Sequence, residues 1–197
     1  MDQQTIDTYN KMAQEYDSET IDFWDKFPRT FLNKFIELSG EKIINIGSGP
    51  GRDGLLLQKA GKDVVCVDAS EAMIKMSSER GLKSFIASFD HLPFEDNSFD
   101  GVWSYTALLH IAKKHIDTPL KEIYRILKPS TFFALGLIEG DTEEYKESSV
   151  IDMPRWFSFY KKDEVVDLCR KHGFEFLYFE TFKPRSKNYL NFIFQKR

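Results

Sequence analysis

The sequence predicts an α/β fold in which a mostly parallel sheet carries helices on both faces, and three observations predict it. Short apolar runs of strand length alternate with helical periodicity from Glu41 onward. One buried run, Ile43–Ile46, passes straight into glycines that open a helix, and the last two apolar runs carry aromatics at every second position.

Residues 1–38 read as two amphipathic helices. One carries Ile6, Tyr9, Met12, Ala13 and Tyr16 near helical spacing; the other carries Phe27, Phe31, Phe35 and Leu38 and is closed by Gly40. Strand Ile43–Ile46, helix Gly51–Ala60, strand Val64–Val67, helix Ser70–Arg80 and strand Ser84–Ala87 follow. Phe99–Trp103 is a fourth strand, Pro119–Leu127 a helix that Lys128-Pro129 ends, and Phe132–Ile138 a fifth strand. The polar stretch Glu139 to Val150 reads as an exposed excursion from the sheet, either a solvated loop or a substrate lid. Phe157–Tyr160 is a short strand or turn, and Asp163–Lys171 a helix closed by His172-Gly173. Phe174–Phe182 and Tyr189–Phe194 are strands that a short link with Pro184 and Ser186 makes antiparallel neighbours. The sum is a seven-stranded sheet with an antiparallel last strand, in one domain over 1–197. Its parts are a helical cap (1–38), a binding core (41–138), an excursion (139–160) and a C-terminal helix with two strands (161–197).

Composition bounds the function. A length of 197 residues with 42% hydrophobic and 29% charged residues suits one globular core and excludes a disordered or fibrous chain. The 15% aromatic content supplies a core and an apolar pocket alike. The net charge of −4 is spread without a basic stripe, which argues against nucleic acid as substrate. The longest strongly apolar run, Phe132–Ile138, is far short of the roughly 20 residues that span a bilayer, and Met1-Asp2-Gln3-Gln4 lacks a basic, apolar leader. No membrane association and a cytoplasmic location are the expectations. Cys66 and Cys169 lie far apart in apolar segments, as buried thiols do, and no Cys/His spacing points to a metal.

The chemistry concentrates in Ile43-Ile44-Asn45-Ile46-Gly47-Ser48-Gly49-Pro50-Gly51. Glycines there let the backbone turn sharply and approach a ligand where a side chain would collide. The spacing is Gly-x-Gly-x-Gly; a dinucleotide fingerprint would need its third glycine at Arg52, which weakens a nicotinamide or flavin reading. Asp68 ends the next strand, where a carboxylate accepts both hydroxyls of a ribose; a helix N-cap ahead of Ser70 is its other reading.

With these residues the chain resembles the class I S-adenosylmethionine-dependent methyltransferases of the small type 11 kind, over residues 9–182. The resemblance rests on residues 9–17 (Tyr9 to Asp17), on Asn45 to Asp53, on Val67-Asp68-Ala69-Ser70-Glu71-Ala72-Met73 and on Leu92-Pro93-Phe94-Glu95-Asp96-Asn97-Ser98-Phe99-Asp100. Ala107-Leu108-Leu109-His110 and Arg125-Ile126-Leu127-Lys128-Pro129 add to it. It implies a Rossmann-like sheet, S-adenosylmethionine as cofactor, and a transferase. Gly47, Ser48, Gly49 and Gly51 would then shape the loop under the methionine portion, and Asp68 would hold the ribose. Ala69 and Met73 would flank the adenine, although Met73 at helical spacing with Met76 also fits core packing. Phe89 and Asp90 would meet the adenine edge, and Ser104 would contact the cofactor. The resemblance also brings Tyr9 and Tyr16 down from the cap toward the methionine part, where Arg29 would answer its carboxylate; a solvated Arg29 after Pro28 is the alternative. Where the family commonly has Asp or Glu, this chain has Asn45, which keeps an acceptor and loses a charge.

Methyl transfer from a sulfonium is an in-line displacement, so alignment in a dry pocket is the main requirement. If the acceptor must shed a proton, His110 is the candidate base, with Tyr105 beside it at the end of the fourth strand; a structural histidine is the other reading of His110. Acceptor recognition is expected from Tyr9, Trp24, Arg155, Trp156 and Tyr160, with Arg155 equally suited to a structural ion pair. Two other classes stand beside a methyltransferase of small molecules: a silent S-adenosylmethionine-binding module, and a nicotinamide oxidoreductase. Acceptor atom and oligomeric state are open.

Overall fold

The computed structural model describes residues 2–148, 151–184 and 186–197. Asp2 starts α1 (Gln3–Lys11) by accepting the Thr5 N–H at 2.9 Å, the N-cap arrangement a short side-chain carboxylate favours. The helix stops at Met12 (φ −109°, ψ 25°) and α2 (Ala13–Thr20) starts afresh, so the single helix expected here is two. The two are anchored in different directions. Asn10 accepts from the Ser70 hydroxyl at 2.8 Å, while Asp17 is drawn to Arg80 at 2.5 Å. After α3 (Phe23–Lys26) comes α4 (Thr30–Leu38), which ends where Ser39 becomes extended. Gly40 is therefore not its left-handed cap; a Cβ there would come within 2.6 Å of the Asp100 Cβ, and close approach is what demands glycine.

From β1 (Lys42–Ile46) the expected alternation appears as α5 (Arg52–Lys59), β2 (Asp63–Asp68), α6 (Glu71–Glu79), β3 (Lys83–Ile86), β4 (Phe99–Tyr105) and α7 (Asp117–Ile126). β5 (Leu127–Ile138) starts directly after α7, so Lys128-Pro129 lies inside the strand. The register with β4 shifts between Phe99 and Gly101, and that irregularity absorbs the proline. The excursion holds a strand of its own. β6 (Glu143–Lys146) pairs antiparallel with β7 (Arg155–Ser158), a hairpin invisible to periodicity because every β6 residue is exposed. The excursion's expected end, Val150, lies outside the described residues. β7 also begins two residues before the expected Phe157, and Tyr160 only bridges Glu139. α8 (Lys162–Lys171), β8 (Phe174–Phe182) and β9 (Tyr189–Lys196) complete the chain, with Gly173 at φ +87° closing α8.

The main sheet has seven strands in the order β3-β2-β1-β4-β5-β9-β8. β9 alone runs antiparallel, to both β5 and β8. One face packs Ile44, Val102 and Leu135 under α7 and α8; the other packs Ile43, Trp103 and Ala134 under Phe31, Leu32 and Phe35 of α4. The chain leaves β1 toward β2 on one side and returns to β4 on the other, which opens a crevice at the carboxyl ends of β1 and β4 where such sheets bind ligands. No helix among the described residues is long and apolar enough to cross a membrane.

Candidate active site

At the carboxyl end of β1 the backbone turns at Gly47 with φ +68°. A Cβ there would sit 2.2 Å from the Ala107 Cβ and 3.1 Å from the Phe89 ring, so only glycine lets the β4 loop close over the turn. Thr106, which leads into that loop, holds φ +53°, a strained conformation for a β-branched residue. Gly49 donates its N–H to Asp68 Oδ2 at 2.9 Å, and Ser70 donates to Oδ1 at 2.9 Å. The ends of β1 and β2 are thereby tied through one carboxylate. Burial pushes the Asp68 carboxyl above the usual carboxylate range against those backbone hydrogen bonds.

Between these strands and the helical cap lies a cleft with about 380 Å³ of empty space, part of it open to solvent. Gly47, Gly49 and Asp68 line its floor with Met73, Phe89, Tyr105, Thr106, Ala107 and His110 around them, and Tyr9 and Tyr16 come from the cap as its roof. The roof is stitched down from both sides. Thr8 donates to the Pro154 carbonyl at 2.8 Å, Thr5 accepts the Trp156 N–H at 2.9 Å, and Asn10 takes the Ser70 hydroxyl. The excursion hairpin thus holds α1 over the cavity.

His110 is 4% exposed and makes two hydrogen bonds, Nδ1 with the Trp156 carbonyl at 2.5 Å and Nε2 with the Tyr9 hydroxyl at 2.8 Å. A carbonyl only accepts, so Nδ1 carries the proton and Nε2 accepts from Tyr9. Burial lowers the His110 pKa to about 3, with the Arg155 and Lys187 charges adding to the effect, and the ring is neutral at physiological pH. Burial likewise raises the Tyr9 phenol, and it raises the Tyr105 phenol well above its ordinary value.

The structure brings Tyr9, Tyr16, Gly47, Gly49, Asp68, Met73, Phe89, Tyr105 and His110 together around this cavity. Other expected residues stand elsewhere. Arg29 donates to the Trp24 carbonyl at 2.7 Å and pairs with Asp25, closing α3 instead of facing a ligand. Trp24 is a core pillar whose indole N–H reaches Asp53 at 2.8 Å. Gly51 answers helix packing, since a Cβ would meet Leu82 at 2.5 Å, and the Ser48 hydroxyl faces the Cys66 thiol. Ser104 is fully buried in β4 with no partner for its hydroxyl among the described residues. Tyr160 packs into the opposite core beneath Lys113, Asp90 is exposed beside Ser88, and Ala69 follows Asp68 without lining the cavity. Asn45 is buried in β1, also off the lining, and its amide nitrogen has no partner among the described residues. Trp156 contributes its backbone carbonyl to His110 while its ring rests on Tyr145.

Sequence reasoning missed Thr106, Ala107 as a wall residue, and a buried hub at Asp53. The Asp53 carboxylate accepts from Trp24 and Trp103, each at 2.8 Å, and from Arg52 at 2.6 Å, binding the cap, β4 and α5 into one knot. A buried acid two residues past a glycine turn was a usable signal; the left-handed backbone of Thr106 left none. Among the described residues no cluster of His, Cys, Asp or Glu forms a metal site.

Residues 44–135 match the model of a methyltransferase domain. The chain belongs to the class I S-adenosylmethionine-dependent methyltransferases. An uncharacterized methyltransferase of Oceanobacillus iheyensis is 23% identical over 185 residues, 90% of this chain and 79% of that protein. A demethylmenaquinone methyltransferase of Symbiobacterium thermophilum is 32% identical over 149 residues, and the match spans 67% of this methyltransferase and 58% of that one. Among solved structures, the Burkholderia thailandensis 1,6-didemethyltoxoflavin-N1-methyltransferase with bound S-adenosylhomocysteine superimposes with a TM-score of 0.71 at 18% identity, covering 97% of this chain and 87% of that one. The fold of this methyltransferase and its cofactor, S-adenosylmethionine, follow from that membership.

Proposed function

We propose that this enzyme transfers the methyl group of S-adenosylmethionine to a small-molecule acceptor held in the cavity under α1. The observation that carries the reading is the Tyr9–His110 hydrogen bond, which puts a phenol and a neutral imidazole on the cavity that Asp68 also lines. The roof that Tyr9 and Tyr16 form favours a small acceptor over a polymer strand. Two relatives agree with it by name, one a demethylmenaquinone and the other a 1,6-didemethyltoxoflavin methyltransferase.

The residues present suit the cofactor. Each Asp68 oxygen takes one backbone N–H and keeps a lone pair for a ribose hydroxyl, while Gly47 and Gly49 offer a floor without side chains. Met73 and Phe89 would present apolar surface to the adenine, and Tyr16 would cover the methionine part. When bound, S-adenosylmethionine supplies an electrophilic methyl group. The chain's own work is to align the acceptor and exclude water. Tyr9 donates to His110 and keeps a lone pair, so its oxygen would orient an O–H or N–H of the acceptor. A pKa of about 3 makes His110 a poor proton acceptor in the cleft, and its role here is to fix the Tyr9 hydroxyl.

Incubation with methyl-labelled S-adenosylmethionine and a panel of phenols, amines, quinols and carboxylic acids tests this reading. Turnover of at least one acceptor, reduced ten- to hundredfold by Tyr9→Phe with cofactor binding retained, is expected. Saturable cofactor binding with no turnover across the panel would favour a silent binding module.

A further inference from the structure

Arg155 is a buried cation without a counter-charge among the described residues. It stands on β7 at 7% exposure, and its Nε has no partner among the described residues. Its Nη1 donates to the Tyr9 hydroxyl at 3.3 Å, and its guanidinium lies 5.5 Å from the Tyr9 ring centroid and 5.3 Å from that of Phe157. The ion pairs found among the described residues do not include it. A buried guanidinium is unfavourable unless an anion meets it, and its planar fork fits a carboxylate or a phosphate. Phenol and aromatic faces alone do not supply that charge.

Arg155 is not itself among the residues that line the cavity; Tyr9, which does line it, accepts from Arg155 and connects the two. The Arg155 charge also lowers the His110 pKa, with Asp2 opposing it. Arg52 is placed differently, since Asp53 already neutralises it at 2.6 Å.

We propose that the methyl acceptor is an anion, a carboxylate or a phosphate compound, whose charged group binds the free guanidinium edge of Arg155, next to the Tyr9 hydroxyl. The proposal rests on the methyl-transfer reading of the same cavity. Arg155 then acts as a specificity residue: it selects charged over neutral analogues, and Tyr9 connects it to the reacting region.

The test uses the full-length protein saturated with S-adenosylhomocysteine and titrated calorimetrically with benzoate and, separately, inorganic phosphate. Saturable one-site binding of at least one anion is expected, and the preferred probe separates carboxylate from phosphate. Arg155→Gln should weaken that binding tenfold or more, while its S-adenosylhomocysteine affinity stays within twofold of the unmodified protein. Should Arg155→Gln fail to fold, Arg155→Lys gives the same comparison, because it keeps the charge and loses the fork. Three results would overturn the proposal: no anion binding to the loaded protein, equal anion affinity in the Arg155 variant, or a loss of S-adenosylhomocysteine affinity that places Arg155 on the cofactor. Failure of the unmodified protein to bind S-adenosylhomocysteine would instead strike the methyl-transfer reading itself.

Discussion

The Tyr9 hydroxyl donates to His110 Nε2 at 2.8 Å across 101 residues of chain, joining the N-terminal cap to the loop after β4. The bond requires a neutral imidazole, and burial provides it by lowering the pKa from 6.5 to about 3. Below pH 6.5 the unfolded chain takes up a proton that the folded His110 refuses. This contribution to stability is therefore complete above pH 6.5 and falls progressively as the pH drops toward 3, by on the order of a few kcal/mol. Urea unfolding at pH 7 and pH 4.5 should show the unmodified protein losing more stability between the two than His110→Gln. Equal losses would mean that His110 does not titrate as its burial requires.

Gly47→Ala should both destabilise the fold and abolish cofactor binding. The new Cβ would lie 2.2 Å from Ala107 at φ +68°, and the positive φ and overpacking together cost about 3 kcal/mol. Gly49→Ala is the control. Its Cβ finds only Tyr16, at 3.7 Å, so the cost should stay near the roughly 1–2 kcal/mol of a left-handed alanine. Chemical denaturation of both variants checks the order, and equal losses would contradict the close approach of Ala107.

Asp53→Asn should cost about 3 kcal/mol, because it strips the charge that Arg52 and two indole N–H groups converge on and leaves Arg52 uncompensated. Trp24→Phe removes one donor and should cost less. A change below about 1 kcal/mol in Asp53→Asn, read from the urea midpoint at constant slope, would show that the hub is not a stability element.

Both thiols should be silent toward a thiol reagent in the folded protein. Cys66 and Cys169 are buried, and burial pushes the Cys66 thiol up to about 12 and raises Cys169 as well. Two equivalents should react only after denaturation; rapid labelling of either under native conditions would contradict the packing around it.

The parallel core was legible because its signal is local. Ile43–Ile46 and Val64–Val67 are apolar runs bounded by turn residues, and their strands lie within a residue or two of the expected ends. The helical cap was harder. The break at Met12 comes from tertiary anchors at Asn10 and Asp17, and β6 carries no apolar face to betray it. Asp68 could be placed at the cavity from its position at a strand end. Trp24 and Arg29 could not, since their directions depend on how α3 settles against Asp53 and Asp25. Pairing of Tyr9 with His110 is a contact between remote segments, and no spacing in the sequence encodes it.

The account stands most directly on Asp68. Calorimetric titration of the folded, ligand-free protein with S-adenosylmethionine, run beside Asp68→Ala, should give saturable single-site binding that the variant weakens at least about a hundredfold, as befits two charge-assisted hydrogen bonds. Equal affinity in the two proteins, or no binding by the unmodified one, would contradict a cofactor seated on the floor that Gly49 and Asp68 share.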